Sequence, residues 1–222
     1  MSDQSTTPAH VSFNSFAPDP EPPPTVAQIA EFKPTGDPDD VITVELPIYV
    51  RHSLETVARA AGMRARFAQV GAWALDRGSV RLESADYFPD VNVLREARAR
   101  LLALGSEQII QLDQWHYRVQ AREGSRRHTL RRIGKDARKA LMALANDLGL
   151  SVSTTGALAM ICGLVDAPEL PGDRPDLLAT EILAFREAAR TRALVAQDIV
   201  ERAGKHPARV RQLSWAAVMS NE

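Results

Sequence analysis

The sequence predicts a mostly α fold carrying one or two short β-ribbons. Three observations predict it. Aromatics make up only 5% of the 222 residues while alanine and leucine are abundant, which favours helices packed through small and aliphatic side chains. Apolar residues recur at helical spacing over several stretches. Finally, two stretches share one pattern of strand, helix, glycine turn and second helix, and an offset of 87 residues superposes Leu54 on Leu141, Val57 on Leu144 and Gly62 on Gly149.

Residues 1–40 hold eight of the fourteen prolines and seven acids against one lysine. With no apolar period they are expected to form a disordered acidic tail, with no more than a transient helical turn at 26–32. The first strand-helix-helix unit spans 41–78. Val41, Thr43 and Glu45 alternate with Ile42, Val44 and Leu46, the period of a strand with one buried face. Pro47 suits the entry to a helix, in which Val50, Leu54, Val57, Ala58 and Ala61 share a face up to Gly62. A second helix buries Phe67, Val70, Ala74 and Leu75 and is expected to stop at Gly78.

An insert at 79–124 reads as two helices, 91–104 and 106–121, with Trp115 and Tyr117 as core anchors. The second unit, 125–165, has its first helix lined by Ala137, Ala140, Leu141, Leu144, Ala145 and Leu148. Ser151 is placed to cap its second helix, which carries Val152, Ala159, Met160 and Leu164. The C-terminal helical region, 166–222, opens on a Pro-rich connection. A long helix over 176–203 follows, with Leu178, Ile182, Phe185, Ala189, Val195 and Ile199 as its stripe, and then a short helix containing Trp215.

Both units resemble the ribbon-helix-helix module of Arc/MetJ-type DNA-binding proteins. The residues that carry the resemblance are Val41-Ile-Thr-Val-Glu-Leu-Pro47 with Gly62 fifteen positions on, and His128-Thr-Leu-Arg-Arg-Ile-Gly134 with Gly149 at the same distance. Together the two copies cover about a third of the chain. The resemblance implies that two strands pair into an antiparallel ribbon that enters the major groove of double-stranded DNA. It also implies that the amino end of each second helix meets a phosphate.

Carried over, the implied DNA-binding residues of the first copy are Thr43 and Glu45 on the strand, with Arg64 and Arg66 at the turn where the family has small hydroxyl residues. In the second copy Ser151 and Ser153 match the family's turn, while the strand register stays open. Counting from Gly134 turns His128, Leu130 and Arg132 outward and Arg131 inward, whereas a slip of one residue turns Thr129 and Arg131 outward and buries Arg132. Arg126, Arg127, His128, Arg131 and Arg132 are the candidates there. They lie in the densest basic patch, Arg122 to Lys139, which holds eight Lys/Arg.

A helix-turn-helix competes for Leu144-Ala-Asn-Asp-Leu-Gly-Leu-Ser151, although Thr155 stands where that motif needs an apolar residue. The implied function is sequence-specific DNA binding, as a transcriptional repressor or a plasmid or phage accessory factor in partition or a relaxosome. An oligomeric scaffold built on degenerate ribbons is the alternative from another class. The 46-residue insert and the long C-terminal helix favour a homodimer, each strand pairing with its equivalent in a second chain.

Other classes find little support. No phosphate-binding glycine loop, HExxH, CxxC or GxSxG motif is present, so no enzymatic activity, cofactor, metal site or small-molecule substrate is expected. Cys162 lies in an apolar run as a small core residue. The longest apolar runs are too short to span a bilayer and the amino terminus is polar and acidic, which together suggest a cytoplasmic protein.

Overall fold

A two-stranded antiparallel sheet stands at the centre of a mostly helical chain, and both of its strands come from the same chain. The computed structural model describes residues 22–62, 67–103, 117–120, 124–168, 170 and 172–205. In β1 (Val41–Pro47) the alternation appears as Ile42, Val44 and Leu46 buried beneath exposed Val41, Thr43 and Glu45. Strand β2 (Ser125–Arg131) pairs with it so that Val41 faces Arg131, Thr43 faces Thr129 and Glu45 faces Arg127. The expectation that each strand pairs with its equivalent in a second chain is therefore corrected. Closing the intervening loop costs entropy that grows only with the logarithm of its length, so the long insert is no obstacle.

The register question is settled by one residue. Thr129 and Arg131 face outward, and Arg132 is not buried in exchange. Arg132 adopts a left-handed backbone (φ 61°), a conformation disfavoured without a special reason, which turns its side chain out and lets Ile133 take the inward position. The strand thereby gains a residue relative to the first unit. Buried Val44 corresponds to buried Leu130, a shift of 86, whereas Leu54 corresponds to Leu141, a shift of 87.

Each strand leads into two helices. Pro47 precedes α2 (Ile48–Ala60), which buries Val50, Leu54, Val57 and Ala58. Helix α3 (Phe67–Glu83) buries Val70, Trp73, Ala74 and Leu75. In the second unit α5 (Lys135–Leu148) buries Leu141, Leu144, Ala145 and Leu148, while Ala140 is exposed. Gly149 (φ 67°) ends α5 in a Schellman arrangement: its N–H donates to Asn146 and that of Leu150 to Ala145. Ser151 caps α6 (Val152–Leu164), its Oγ accepting from the Thr154 N–H at 3.0 Å. Helices α5 and α6 meet at 105°.

Contrary to the sequence expectation, α3 does not stop at Gly78. It runs on to Glu83, and Gly78 marks the closest approach of two helices instead. A Cβ on Gly78 would sit 1.6 Å from the Ala159 carbonyl oxygen of α6, and one on Gly163 would sit 2.1 Å from that of Ala74 in α3. The contacts are reciprocal. The same symmetry recurs over the ribbon, where a Cβ on Gly71 would meet Leu130 at 2.5 Å and one on Gly156 would meet Val44 at 2.6 Å. Each second helix thus lies over the strand of the other unit, and the two units interlock about an approximate two-fold axis.

The remaining helices buttress this centre. Helix α4 (Pro89–Ala103) packs along α7 (Arg174–Lys205). The buried stripe of α7 is Leu178, Ile182, Phe185, Ala189, Ala193 and Ala196. Val195, expected inside, is 42% exposed because 193 and 196 continue the helical period and 195 does not. Tyr117 anchors the insert as expected: its hydroxyl donates to buried Glu181 at 2.6 Å and its ring packs edge-on to Phe185. Trp115, residues 106–116 of the expected second insert helix and the terminal helix around Trp215 lie outside the described residues, as do residues 1–21 of the expected tail; residues 117–120, expected at the end of that insert helix, are not helical.

The rest of that tail is packed, contrary to expectation. Helix α1 (Val26–Glu31) carries a full capping box at Thr25 and buries Ile29. Beyond it the Gly36 N–H donates to the Arg132 carbonyl, and the Ile133 N–H to that of Asp40, so this arm continues the ribbon's pairing past the strands. Buried Pro24 and Ile29, a reciprocal cap and these hydrogen bonds hold a segment whose composition alone reads as disordered.

Two stability tests follow from this packing. Alanine normally stabilises a helix interior by about 1 kcal/mol over glycine, yet Gly78→Ala should destabilise by on the order of 1–3 kcal/mol, because the backbone of α6 blocks its methyl. Gly71→Ala should cost less, since the end of the Leu130 side chain can rotate away. Ile29→Ala should cost about 2–5 kcal/mol, and an unchanged midpoint in urea would mean that the arm contributes nothing.

Candidate nucleic-acid interface

The outward face of the ribbon gathers six side chains: Val41, Thr43 and Glu45 from β1, and Arg127, Thr129 and Arg131 from β2. Thr43 and Thr129 lie opposite one another at its centre, their hydroxyl oxygens 3.3 Å apart. Arg126 and Arg132 flank the face, and Lys135, Arg138 and Lys139 of α5 continue the exposed basic surface.

None of Arg126, Arg127, Arg131 and Arg132 takes part in an ion pair among the described residues, whereas Arg51, Arg77, Arg81, Arg95 and Arg202 each do. The ribbon guanidiniums are therefore hydrated and open to an outside acceptor, and each carries a donor fork suited to a phosphate or a guanine edge.

Glu45 is held differently. Its carboxylate accepts a hydrogen bond from the Ser125 hydroxyl, and its backbone N–H donates to Ser153 Oγ at 2.8 Å. Ser153 thus pins the first turn of α6 to the edge of β1, satisfying a backbone donor that the ribbon leaves unpaired. Ser151, exposed beside it, spends its Oγ on the helix cap and on Thr154. Ser125 and Thr154 escaped the sequence reading, because their roles arise only from strand pairing and from cap geometry. Arg64 and Arg66 lie outside the described residues.

His128 is a correction. It lies on the inner face, opposite Val44, with its ring packed edge-on against Phe67 at 4.7 Å. Its Nε2 is buried with no hydrogen-bond partner among the described residues. Burial, reinforced by the nearby Arg51 guanidinium and opposed by Glu55, holds its pKa below the usual histidine value. It packs between ribbon and helix, on the face opposite to Thr43, Thr129 and Arg131.

Away from the ribbon, polar groups serve packing. Arg81 makes a forked pair with Asp166 (2.6 and 3.0 Å) and donates to the Cys162 carbonyl at 2.7 Å, closing the end of α6, while Arg77 shares the same carboxylate at 3.1 Å. Cys162 itself is fully buried and its thiol is pushed up to about 12 by burial. Among the described residues no group of three or more His, Cys, Asp or Glu is placed to hold a metal ion, and no single helix is long and apolar enough to cross a membrane.

Comparison with protein-family models, with curated proteins and with solved structures finds no match to this chain.

The buried imidazole predicts a pH signature. Because its folded pKa is lowered, the unfolded chain binds the extra proton first, so His128 contributes stability that is complete above about pH 6.5 and drains away as pH falls toward its folded pKa. His128→Leu should flatten the dependence of unfolding free energy on pH between about 7 and 5. An identical slope in both proteins would show that folding leaves the protonation of His128 unchanged.

Proposed function

We propose that the protein binds double-stranded DNA through its ribbon, as an intramolecular ribbon-helix-helix pair acting as a transcriptional repressor or a plasmid or phage accessory factor. The observation that carries this reading is the outward face of β1 and β2. There two opposed threonines and two arginines outside any described ion pair present donors, acceptors and positive charge on a support as narrow as two strands. A ribbon of that width fits the major groove, whose base edges offer a distinguishable pattern of donors and acceptors. Arg126, Arg132, Lys135, Arg138 and Lys139 surround it where phosphates would run. Ser151 and Ser153 place the amino end of α6 at the ribbon's edge, in keeping with a phosphate contact there.

The helix-turn-helix reading is less well supported. Its second helix must lie exposed in a groove, and residues 155–164 of α6 are buried throughout. A scaffold role draws on Glu45, a carboxylate in the middle of the face. Yet Glu45 is engaged by Ser125 and lies beside Arg127, so it leaves the basic surroundings intact.

Fluorescence anisotropy with duplex pools over a range of salt tests the proposal. Affinity should fall steeply with salt. Arg126→Ala with Arg132→Asn, the latter tolerant of the left-handed backbone, should weaken binding to all sequences and flatten the salt slope by about one unit per lost phosphate contact. Arg127→Ala with Arg131→Ala should instead erase discrimination among sequences. No salt-dependent binding to any duplex would leave the scaffold reading.

A further inference from the structure

We infer that a single chain reads an asymmetric duplex site, in which the two ends of the ribbon share a preference for guanine and differ in the adjoining base. The inference rests on the DNA-binding reading above and concerns which sequence that surface selects.

The strand register fixes what stands at each end. Around the central Thr43·Thr129 pair, one end presents Val41 beside Arg131 and the other presents Glu45 beside Arg127. Under the approximate two-fold axis Val41 corresponds to Arg127 and Glu45 to Arg131, so no outward position apart from the threonines has a like partner. Each end nevertheless keeps one arginine. Arginine makes its best base contact as a fork to the O6 and N7 of guanine, so guanine is expected at both ends.

The neighbours of the two arginines then split the ends apart. Val41 offers only methyl groups, 37% exposed, and the apolar feature of a major-groove edge is the thymine methyl. Glu45 offers only acceptors, and the base edge that donates without accepting is the cytosine amino group. The carboxylate is already oriented. Ser125 donates to Oε1, and the backbone at Glu45 is fixed by Ser153, which leaves Oε2 for an outside donor. A carboxylate free to swing toward phosphates would be repelled, whereas one tethered across the ribbon beside Arg127 stays over the groove.

Selection from a random duplex library with the full-length chain tests this, followed by mass measurement of the complex on the selected duplex. The expected result is one chain per duplex and a consensus with polarity, guanine with an adjoining thymine at one end and guanine with an adjoining cytosine at the other. Palindromes built by duplicating either half should bind about tenfold more weakly or worse, the loss of one good base contact. Glu45→Val should move the adjoining base at that end from cytosine toward thymine while the other end keeps its choice. Circular dichroism of this exposed substitution should match the wild type, and Glu45→Gln, which keeps the shape, should relax the choice of base at that end alone.

A palindromic wild-type consensus, two chains on a symmetric site, or a consensus unmoved by Glu45→Val and Glu45→Gln would each overturn the asymmetry while leaving DNA binding in place. Failure to enrich any duplex, with no salt-dependent binding to the pool, would overturn the DNA-binding reading itself and this inference with it.

Discussion

The close crossing of α3 and α6 beneath the ribbon is the constraint on which the rest of the structure depends. Gly78 and Gly163 let the two backbones approach until each occupies the space a methyl group on the other would need. Gly71 and Gly156 let the same helices lie directly against Leu130 and Val44. With these distances set, the inner face of the ribbon is filled by Ile42, Val44, Leu46 and Leu130, each of which contributes about 1.5–3 kcal/mol by burial. A bulkier crossing would lift the helices off the sheet, and a two-stranded ribbon with no covered face is at best marginally stable in water. The Arg77, Arg81 and Asp166 cluster locks one end of the crossing without adding bulk at its centre.

Much of this architecture is legible in the sequence because it rests on periodicity. The alternation at 41–46, the helical faces of α2 and α5, the Gly149 turn and the Ser151 cap all follow from residue type and spacing, and all are present. What the pattern could not carry is the change of offset along the repeat. The shift between units is 86 in the strands, where Val44 matches Leu130, and 87 in the first helices. It becomes 85 in the second helices, where Gly71 matches Gly156 and Gly78 matches Gly163. A single offset of 87 therefore aligns the first helices but not the strands or the second helices, which is why the register at 128–132 stays open in the sequence.

Some of the errors were decided by contacts distant in sequence and others by a local departure from a strict period. Arg132 escapes burial through one left-handed residue, an option a strict two-residue period does not contain. The arm at 26–40 is ordered by Ile29 and by hydrogen bonds from Gly36 and to Asp40, neither visible in a composition dominated by proline and acid. Strand partners are equally hidden, since nothing local distinguishes pairing within a chain from pairing between chains. The β1 half of the candidate surface is legible from its alternation, and the β2 half only as a set of charges with an open register. Which of its arginines face outward, and which neighbour each meets, depends on the pairing of β1 with β2.

Joining both strands in one chain has a consequence for that surface. In an assembly of two identical chains, any outward substitution appears twice, once at each end of the ribbon, and the ends are constrained to remain equal. Here the helix crossing keeps the symmetry, because the glycines and the residues they meet must fit reciprocally. The exterior is released from it. Gly71 still mirrors Gly156, while Val41 stands where Arg127 does and Glu45 where Arg131 does. Symmetry survives at the crossing, where packing enforces it, and is lost on the outward face of the ribbon, which packing leaves free.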